Sequence, residues 1–267
     1  MDMQLEGKRA LVTGGSRGIG KAIARALVQE GVDVALLARS ADALHAAAIE
    51  LASQTGRKVV GVRGDTTSDD SVRQAVAEAV SALGGGIDIL VNAAAEPAGF
   101  AGPPKLAEIT GTYFHRELDT KVMGYIRCAR EVVGGMKAQG WGRIVNISGL
   151  AARQTGNTVG SIRNVAVAAL TKNMADEFGL LGINVTVVHP GLTRTERTGP
   201  LVAARAAAQG VSAKIIEDQM AATNSINHIV DASEVADVVA FLCSPRSRAI
   251  NGDAIAVGGG GLRSIHY

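Results

Sequence analysis

The sequence predicts an α/β fold in which a doubly wound parallel sheet of about seven strands is covered by helices on both faces. Short apolar runs alternate with longer alanine-rich helical stretches along the whole chain of 267 residues. The short runs are almost continuously apolar, which is typical of strands buried on both faces. Because 47% of the residues are hydrophobic but only 3% are aromatic, the core is expected to consist of aliphatic side chains packed close to glycine.

The individual elements follow from these runs. Strands are predicted at Ala10–Thr13, Val32–Leu37, Val59–Val62, Ile87–Val91, Ile144–Ile147, Ile183–Val188 and Ala254–Val257. Helices are predicted between them at Gly20–Glu30, Ala41–Ala52, Ser71–Leu83, Thr112–Lys137, Val159–Leu180 and Ser233–Leu242. Left-handed helix caps are predicted just past four of these runs, at Gly31, Gly56, Gly84 and Gly182.

The chain is predicted to form one domain over residues 1–267, because no linker, change of composition or internal repeat divides it. The least regular stretch, residues 192–229, precedes the last helix and strand. An irregular insertion at this place predicts a lid over a binding site.

Composition argues against several classes of function. A net charge of +2 and a total of 4 Phe, 3 Tyr and 1 Trp supply neither the basic groove nor the aromatic platforms of a nucleic-acid-binding protein. The two cysteines, Cys128 and Cys243, are far apart in the sequence, so neither a disulfide framework nor a metal site is expected. No apolar run approaches the roughly 18 residues of a membrane span, and the charged N-terminus lacks a signal-peptide pattern, so a cytoplasmic location is expected.

A glycine-rich loop with the sequence Gly-Gly-Ser-Arg-Gly-Ile-Gly follows the first strand and opens the first helix. Glycines at this junction let backbone N–H groups approach the phosphates of a dinucleotide at the positive end of a helix, as in the three-layer Rossmann fold. The loop residues predicted to bind the cofactor are Gly14, Ser16, Arg17, Gly18, Ile19 and Gly20.

A nucleoside triphosphatase is the competing interpretation of this loop, since residues 15–21 also fit the pattern G-x-x-x-x-G-K. That motif requires a hydroxyl for magnesium at the next residue, which is Ala22. The strand Ile87–Val91 is followed by Asn92 where a metal-binding aspartate is needed. The sequence therefore favours dinucleotide binding.

The end of the second strand predicts which dinucleotide is bound. An NAD site has a carboxylate here for the ribose 2′-hydroxyl, whereas this chain has Arg39 and Ser40. Two guanidinium groups, from Arg39 and Arg17, would flank a 2′-phosphate, so NADP(H) is preferred over NAD(H). The alternative is that both arginines are solvated surface residues.

The glycine loop and several later motifs resemble those of the short-chain dehydrogenase/reductase family. The resemblance covers nearly the whole chain. Residues 13–20 resemble its T-G-x-x-x-G-x-G motif, residues 88–95 its D-I-L-V-N-N-A-G motif with departures at Ala93 and Ala95, and residues 190–195 its P-G-x-x-x-T motif. Asn251-Gly252 and Gly258-Gly259 resemble its closing strand. The further cofactor-binding residues that this resemblance implies are Asp65, Thr66, Asn92, Ala93, Ala94, Pro190, Gly191, Thr193 and Thr195.

The resemblance breaks at the catalytic residues. The family uses a tyrosine as general acid/base and a lysine four residues later that lowers the tyrosine pKa. Aligning backward from Leu170-Thr171-Lys172 puts Gly160 at the tyrosine position and Asn164 at the lysine position. No tyrosine lies between Tyr125 and Tyr267, so the Tyr-x-x-x-Lys pair is predicted to be missing.

Two other residues occupy catalytic positions of the family. Ser148 lies at the strand end where the family places the serine that polarises the substrate carbonyl, and Lys121 stands where it places an asparagine. Lysine and asparagine have thus exchanged positions between two neighbouring helices. Because a desolvated lysine titrates near neutrality, we hypothesise that Lys121 replaces the missing proton donor. The alternatives are an exposed helix lysine and a structural serine hydroxyl.

Several other polar residues are weaker candidates. A structural role is expected for His189 and His228, and core packing for Tyr125. The arginines that could line the pocket and favour an anionic substrate, although surface exposure is the simpler expectation, are Arg153, Arg163, Arg194 and Arg197.

The sequence therefore predicts an NADP(H)-dependent oxidoreductase with a modified active site, acting on a carbonyl, an alcohol or an activated double bond of a small molecule. The alternative is a catalytically inactive NADP(H)-binding sensor or regulatory protein, because a fold does not fix a function. Members of the family commonly pair through their two long helices, so a homo-oligomer, either a dimer or a tetramer, is expected.

Overall fold

A computed structural model describes residues 2–95 and 102–262 of the chain. Tyr267 lies outside the described residues. The strands are β1 (Arg9–Thr13), β2 (Asp33–Ala38), β3 (Val59–Arg63), β4 (Ile89–Asn92), β5 (Gly142–Ile147), β6 (Ile183–Pro190), β7 (Thr193–Arg194), β8 (Val230–Asp231) and β9 (Ala254–Val257). The α-helices are α1 (Gly18–Gln29), α2 (Ala41–Thr55), α3 (Asp69–Leu83), α4 (Gly111–Leu118), α5 (Gly124–Gln139), α6 (Thr158–Phe178), α7 (Thr198–Gln209), α8 (Ala213–Ala221) and α9 (Ala232–Cys243).

Seven parallel strands form the central sheet in the order β3-β2-β1-β4-β5-β6-β9. The strand order reverses at β1, which pairs with β2 on one side and with β4 on the other. This reversal opens a crevice at the carboxyl ends of the strands. The predicted doubly wound fold with seven strands is therefore confirmed.

Each face of the sheet carries its own hydrophobic core. Alternate residues of β1 point to opposite faces, so that Ala10 and Val12 pack with α1, α2 and α9, whereas Leu11 packs with α3, α5 and α6. All three of these β1 side chains are completely buried. The aliphatic core that the low aromatic content predicted thus covers both faces of the sheet.

The two cysteines are buried, and the four glycine caps agree with the sequence-based expectation. Cys128 and Cys243 are buried and unpaired, and burial raises the pKa of each thiol to about 12. The backbone is left-handed at all four predicted caps, where glycine avoids the penalty of a side chain. Among the helices of residues 2–95 and 102–262, none is long and apolar enough to cross a membrane.

Two regions differ from the predicted secondary structure. The helix predicted at Thr112–Lys137 is observed, but it is not a regular α-helix throughout, because α4 and α5 are joined by a π turn at Asp119–Met123. The helically spaced apolar residues of this stretch lie within and after the π turn, so their periodicity does not reveal it; they are Val122, Ile126, Ala129, Val133 and Met136. The stretch 192–229, predicted to be irregular, contains α7 and α8, which pack on each other around Val202, Ile216 and Met220.

Candidate functional site

A cavity of about 510 Å³ opens at the carboxyl edge of the sheet, where the strand order reverses. The structure brings both predicted catalytic residues, Lys121 and Ser148, into the lining of this one cavity. The predicted cofactor residues in the same lining are Gly14, Ser16, Arg17, Gly18, Ile19, Gly20, Arg39, Ser40, Asp65, Thr66, Ala93, Ala94 and Thr195.

Four predicted cofactor residues do not form part of this lining. Asn92 is completely buried below it and donates a hydrogen bond from Nδ2 to Oδ1 of Asn146 at 2.9 Å. Pro190 pairs with Val257 of β9 in the sheet. Gly191 and Thr193 follow β6, and the Thr193 hydroxyl donates to the carbonyl of Gly191 at 3.0 Å. These four residues hold the loops that border the cavity.

The glycine loop is shaped by close backbone approaches. At Gly14, where φ is +67°, a Cβ atom would lie 2.9 Å from the carbonyl oxygen of Ala93, and a Cβ at Gly20 would collide with the carbonyl of Gly14. The Thr13 hydroxyl accepts hydrogen bonds from the N–H groups of Ala93 and Ala94, at 3.0 and 3.1 Å. The loop after β4 is thereby held against the loop after β1, and both line the cavity.

The start of α1 has no cap from its own residues, because its first turn contains no acidic residue and Arg17 makes no side-chain cap. Glu196, 178 residues further along the chain, accepts a hydrogen bond from the N–H of Gly18 at 3.2 Å. A carboxylate therefore lies at the helix terminus that the sequence assigns to a phosphate, which agrees with an anion-binding character of this position.

The side of the cavity formed by the second and third strands contains Arg39, Ser40 and Asp65. The Ser40 hydroxyl caps α2 by accepting from the N–H of Ala43 at 3.4 Å. Burial disfavours the charged form of Asp65, but two hydrogen bonds from Thr67 and the positive charge of Arg39 outweigh it and lower the pKa of Asp65. Asp65 is thus an ionised carboxylate that stabilises its own turn.

Lys121 is the most unusual residue of the site. Its side chain is 4% exposed, and Nζ donates hydrogen bonds to the carbonyl of Ser148 at 2.8 Å and to Oδ1 of Asn164 at 3.1 Å. Burial lowers the pKa of this amine well below its usual value, the charge of Arg163 lowers it further, and the charge of Glu117 opposes the shift. The expectation of an exposed helix lysine is therefore wrong.

The π turn explains how Lys121 reaches this position. An α-helix running on from α4 would place residue 121 at a different angle about the helix axis, because the extra residue of a π turn rotates everything that follows. Arg127 holds the turn by donating to Asp119 at 2.8 Å, to Asp69 at 3.1 Å and to the carbonyl of Thr66 at 3.0 Å. The same guanidinium group therefore fixes the turn and the loop after β3.

Ser148 and Asn164 complete the cluster around Lys121. The Ser148 hydroxyl donates to the backbone carbonyl of Asn164 at 3.1 Å, and the Asn164 amide donates to the carbonyl of Gly149 at 3.4 Å. Gly160 lies one turn earlier on α6, and a Cβ there would meet the side chain of Asn157, which caps the helix. Lysine, serine and asparagine are thus joined by direct contacts between π turn, β5 and α6.

Most of the weaker candidates have structural partners. Tyr125 is completely buried and donates its hydroxyl to the carbonyl of Ile147 at 2.8 Å, and burial raises the pKa of this phenol. His189 is 2% exposed, and its Nδ1 accepts from the N–H of Gly149 at 3.4 Å. Packing roles for both residues agree with the expectation.

His228, Asp231 and Glu234 lie close enough together to raise the question of a metal ion. Their contacts belong to the start of α9, where Glu234 accepts from the N–H of Asp231 at 2.7 Å and pairs with Nε2 of His228 at 3.0 Å. All three groups serve a helix cap at the surface, so the cluster has a structural explanation without a metal.

The arginines considered for an anionic substrate are mostly engaged elsewhere. Arg163 pairs with Glu117, Arg194 with Glu217, and Arg153 donates to the carbonyl of Ala254. Arg197 alone of this group lines the cavity. The structure therefore gives little support to a pocket built to bind an anionic substrate through these residues.

Eight lining residues were not among the predicted site residues, namely Leu37, Ala38, Ala43, Gly64, Ala95, Thr120, Ile147 and Glu196. Thr120 is buried, and its hydroxyl oxygen has no hydrogen-bond partner within the described part of the chain. Leu37 could have been found as the residue two before Arg39 on β2, but Thr120 depends on the π turn and Glu196 on a contact between distant loops.

Comparison with known proteins decides the family. The model of the family described as short chain dehydrogenase matches residues 8–206, which is well over half of the chain. The chain belongs to this family. The match covers β1 to α7 and therefore includes the glycine loop, the π turn and the Lys121 cluster.

Relatives of this short-chain dehydrogenase cover it almost end to end. It is 32% identical to 3-oxoacyl-[acyl-carrier-protein] reductase FabG of Aquifex aeolicus, over 97% of this chain and 99% of the relative. It is 29% identical to 7alpha-hydroxysteroid dehydrogenase of Escherichia coli strain K12, over 99% and 98%. The crystal structure of L-sorbose reductase from Gluconobacter frateurii complexed with NADPH and L-sorbose superposes with a TM-score of 0.92 at 32% identity, over 99% and 100%. These relatives are all oxidoreductases.

Proposed function

We propose that this chain is an NADP(H)-dependent oxidoreductase that interconverts a small-molecule carbonyl compound and its alcohol. The observation that carries the proposal is that one cavity joins the glycine loop and Arg39 to Lys121 and Ser148. A cofactor held by the loop would therefore extend toward an amine and a hydroxyl, which are groups that can handle the proton of such a reaction.

The described residues fit a dinucleotide. The cradle formed by Gly14 and Gly20 has no room for a Cβ atom, so backbone N–H groups can approach phosphates closely. The unpartnered hydroxyl of Thr120 offers a buried hydrogen bond to a bound molecule. The bound nicotinamide would supply the hydride, and the protein would supply orientation and a proton.

The arginines favour NADP(H) over NAD(H). Arg17 and Arg39 are both exposed side chains that line the cavity, and no carboxylate stands at the end of β2. A guanidinium group binds a phosphate through paired hydrogen bonds, and NADP(H) carries a 2′-phosphate that NAD(H) lacks. Among the relatives, L-sorbose reductase was crystallised with NADPH, whereas a 7 alpha-hydroxysteroid dehydrogenase was crystallised with NADH.

Lys121 is the proposed proton donor, with Gly160 and Asn164 at the positions where the family has its tyrosine and lysine. Two of the three donor directions of its ammonium group are used, toward Ser148 and Asn164. The third can donate to the oxygen of a substrate carbonyl. Because the pKa of Lys121 is lowered, its ammonium form is a stronger acid than an ordinary lysine and gives up its proton more easily.

Ser148 is proposed to polarise the substrate carbonyl, and residues 192–229 to act as a lid. The hydroxyl of Ser148 reaches a substrate by exchanging its present acceptor, the Asn164 carbonyl, for the substrate oxygen. Thr195, Glu196 and Arg197 already line the cavity, so this segment is in place to cover a bound substrate. Exposed apolar residues on α6, among them Ile162 and Val165, suit assembly of the chain into a dimer or tetramer.

The proposal is tested by NADPH binding measured calorimetrically, followed by NADPH oxidation with a panel of carbonyl compounds. The panel contains L-sorbose, a 3-oxoacyl thioester and a 7-oxo steroid. Tighter binding of NADPH than NADH and turnover of at least one carbonyl compound are expected. Failure to bind either dinucleotide contradicts the proposal, and binding without turnover of any carbonyl contradicts its catalytic part.

Lys121→Met tests the proton donor, and Lys172→Met is its matched control because Lys172 is an exposed lysine on α6. Loss of a general acid costs about 10²- to 10⁴-fold in turnover. We expect a loss of this size in Lys121→Met with NADPH affinity retained, and wild-type turnover in Lys172→Met. Full turnover in Lys121→Met would exclude Lys121 as the donor.

A further inference from the structure

An ion pair between Glu117 and Arg163 lies beside Lys121 and has no part in the function proposed so far. The side chains are largely buried, with 9% of Glu117 and 17% of Arg163 exposed. Glu117 is on α4, which runs into the π turn that carries Lys121, and Arg163 is on α6, which carries its partner Asn164, so the pair connects these two helices. One member of the pair therefore precedes the proposed proton donor in the chain, and the other is next to the asparagine that binds it.

The covalent and hydrogen-bonded connections are short. Glu117 precedes the π turn and lies four residues before Lys121, and Arg163 is the residue next to Asn164. Asn164 in turn accepts a hydrogen bond from Nζ of Lys121 at 3.1 Å. A displacement of Arg163 is therefore passed to Asn164, which holds the lysine, and Glu117 is linked to it through its ion pair with Arg163.

Stability gives little reason for such a pair. Removing two charges from water costs about as much free energy as their attraction returns, and a well-packed apolar pair of similar volume is often no less stable. Nε of Arg163 is also buried without a hydrogen-bond partner within residues 2–95 and 102–262. The pair is therefore better explained by the charge that it presents to its surroundings.

We propose that Glu117 and Arg163 are positioning residues for Lys121, which hold it in the cavity and set its readiness to take up and release a proton. The proposal rests on the proposed function of Lys121 as proton donor. The two charges act in opposite directions on the ammonium group, since the carboxylate favours it and the guanidinium disfavours it.

The other ionisable groups near Lys121 do not compete with the pair. Tyr125, on α5, stays protonated because burial raises its pKa. Asp119, on the π turn itself, is held by Arg127 on the side of α3. The direct partners of Nζ, the carbonyl of Ser148 and the amide of Asn164, are neutral. Glu117 and Arg163 are thus the charged groups of α4 and α6 that act on the pKa of Lys121.

Opposite effects of the two substitutions distinguish this role from a merely structural one. Arg163→Met removes the positive charge and keeps the Glu117 carboxylate. The pH at which Lys121 titrates is expected to rise by about one unit. Glu117→Gln removes the negative charge and keeps the Arg163 guanidinium group. The pH at which Lys121 titrates is expected to fall by about as much. The conservative variant Arg163→Lys keeps the charge and is expected to titrate as the wild type does.

The experiment follows the titration of Lys121 itself by NMR, using protein labelled with ¹³C at Cε of lysine and no cofactor. The Lys121 signal is assigned as the one that disappears in Lys121→Met, and thermal melting checks that each variant folds. Shifts of opposite sign support the proposal. Shifts of the same sign, or shifts under about 0.3 unit in both variants, overturn it.

If Glu117→Gln does not fold, the comparison of Arg163→Met with Arg163→Lys decides, because only the first removes the charge. An unchanged titration in Arg163→Met then overturns the proposal. The readout does not depend on turnover. A protein that shows the shifts but reduces no carbonyl compound would refute the proposed function and leave standing the effect of Glu117 and Arg163 on the titration of Lys121.

Discussion

At the scale of single residues, Lys121 couples the stability of the protein to pH. Its pKa is lowered in the folded state, so between the folded value and about 10.4 the unfolded chain binds a proton that the folded chain does not. The free energy of unfolding therefore rises with pH through this interval and is smallest below the folded pKa. The sign is the same as for any group whose pKa folding lowers.

Lys121→Met removes this dependence. Wild-type protein is expected to gain stability relative to the variant as pH rises, by up to about 1.4 kcal/mol per pH unit inside the interval. Urea unfolding of both proteins at pH 7 and pH 9.5 measures the difference, with Lys172→Met as a control for an exposed lysine. Parallel changes in the wild type and Lys121→Met would show that the lysine is not desolvated.

Cofactor preference is a second property of single residues. Arg39→Ala is expected to weaken NADPH binding about ten- to hundredfold, the cost of a hydrogen-bonded charge, and to leave NADH binding nearly unchanged. Arg205→Ala, which removes an exposed arginine of α7, serves as the control for net charge. Calorimetric titration with both dinucleotides measures the ratio. Equal losses for NADPH and NADH would mean that Arg39 does not contact the 2′-phosphate.

Sequence reasoning found those residues of the site that sit in short local motifs. Gly14 and Gly20 follow from the strand, loop and helix order, and Lys121 and Ser148 from their spacing within the family pattern. Glu196 could not be found in this way, because its contact with Gly18 spans 178 residues and depends on how two loops meet. The burial of Lys121 was also beyond the sequence, since apolar periodicity does not tell a buried lysine from a surface one.

At the scale of elements, the predicted strands and helices mostly agree with the structure to within a few residues. The exception is the helix predicted at Thr112–Lys137, which the π turn divides. Its helically spaced apolar residues lie within and after the turn, so their regular spacing does not reveal the extra residue. The contacts of Arg127 with Asp69, Asp119 and the carbonyl of Thr66 hold the turn, and such contacts exist only in the folded protein.

The glycine loop yields an element-scale prediction. Gly20→Ala places a Cβ against the carbonyl of Gly14, and the backbone must move to relieve the contact. Overpacking of this kind costs about 1–3 kcal/mol, so NADPH affinity is expected to fall at least about tenfold. In Gly134→Ala, on the exposed face of α5, no atom lies within 4 Å of the new Cβ, and a gain in stability of up to about 1 kcal/mol is expected.

Calorimetry with NADPH and thermal melting separate the two outcomes. Unchanged NADPH affinity in Gly134→Ala would show that a glycine-to-alanine change in a helix does not by itself lower NADPH binding. Wild-type affinity in Gly20→Ala would mean that the loop does not need the close approach between its two glycines.

At the scale of the whole molecule, the two main cores lie on opposite faces of one sheet, and the predicted lid has a small core of its own. Val202, Ile216 and Met220 pack with one another between α7 and α8, apart from the clusters on the sheet. A segment with a separate core can open while the sheet stays folded, because its packing contributes little to the rest. The sequence pattern did not predict the two helices of this segment, because residues 192–229 are the least regular stretch of the sequence.

Ile216→Ala should therefore loosen the lid and spare the sheet. Ile216 is 1% exposed, so truncation leaves a cavity in the small core, and faster amide hydrogen exchange is expected in residues 198–221 with exchange in β1 and β4 unchanged. Leu27→Ala, in the core of α1, is the contrasting variant and is expected to lower the free energy of global unfolding by about 2–5 kcal/mol. NADPH should slow exchange in the lid, since Thr195 and Glu196 line the cavity that it would fill. Uniformly faster exchange in Ile216→Ala would show that the lid and the sheet unfold together, and the segment could then not open by itself to admit a substrate.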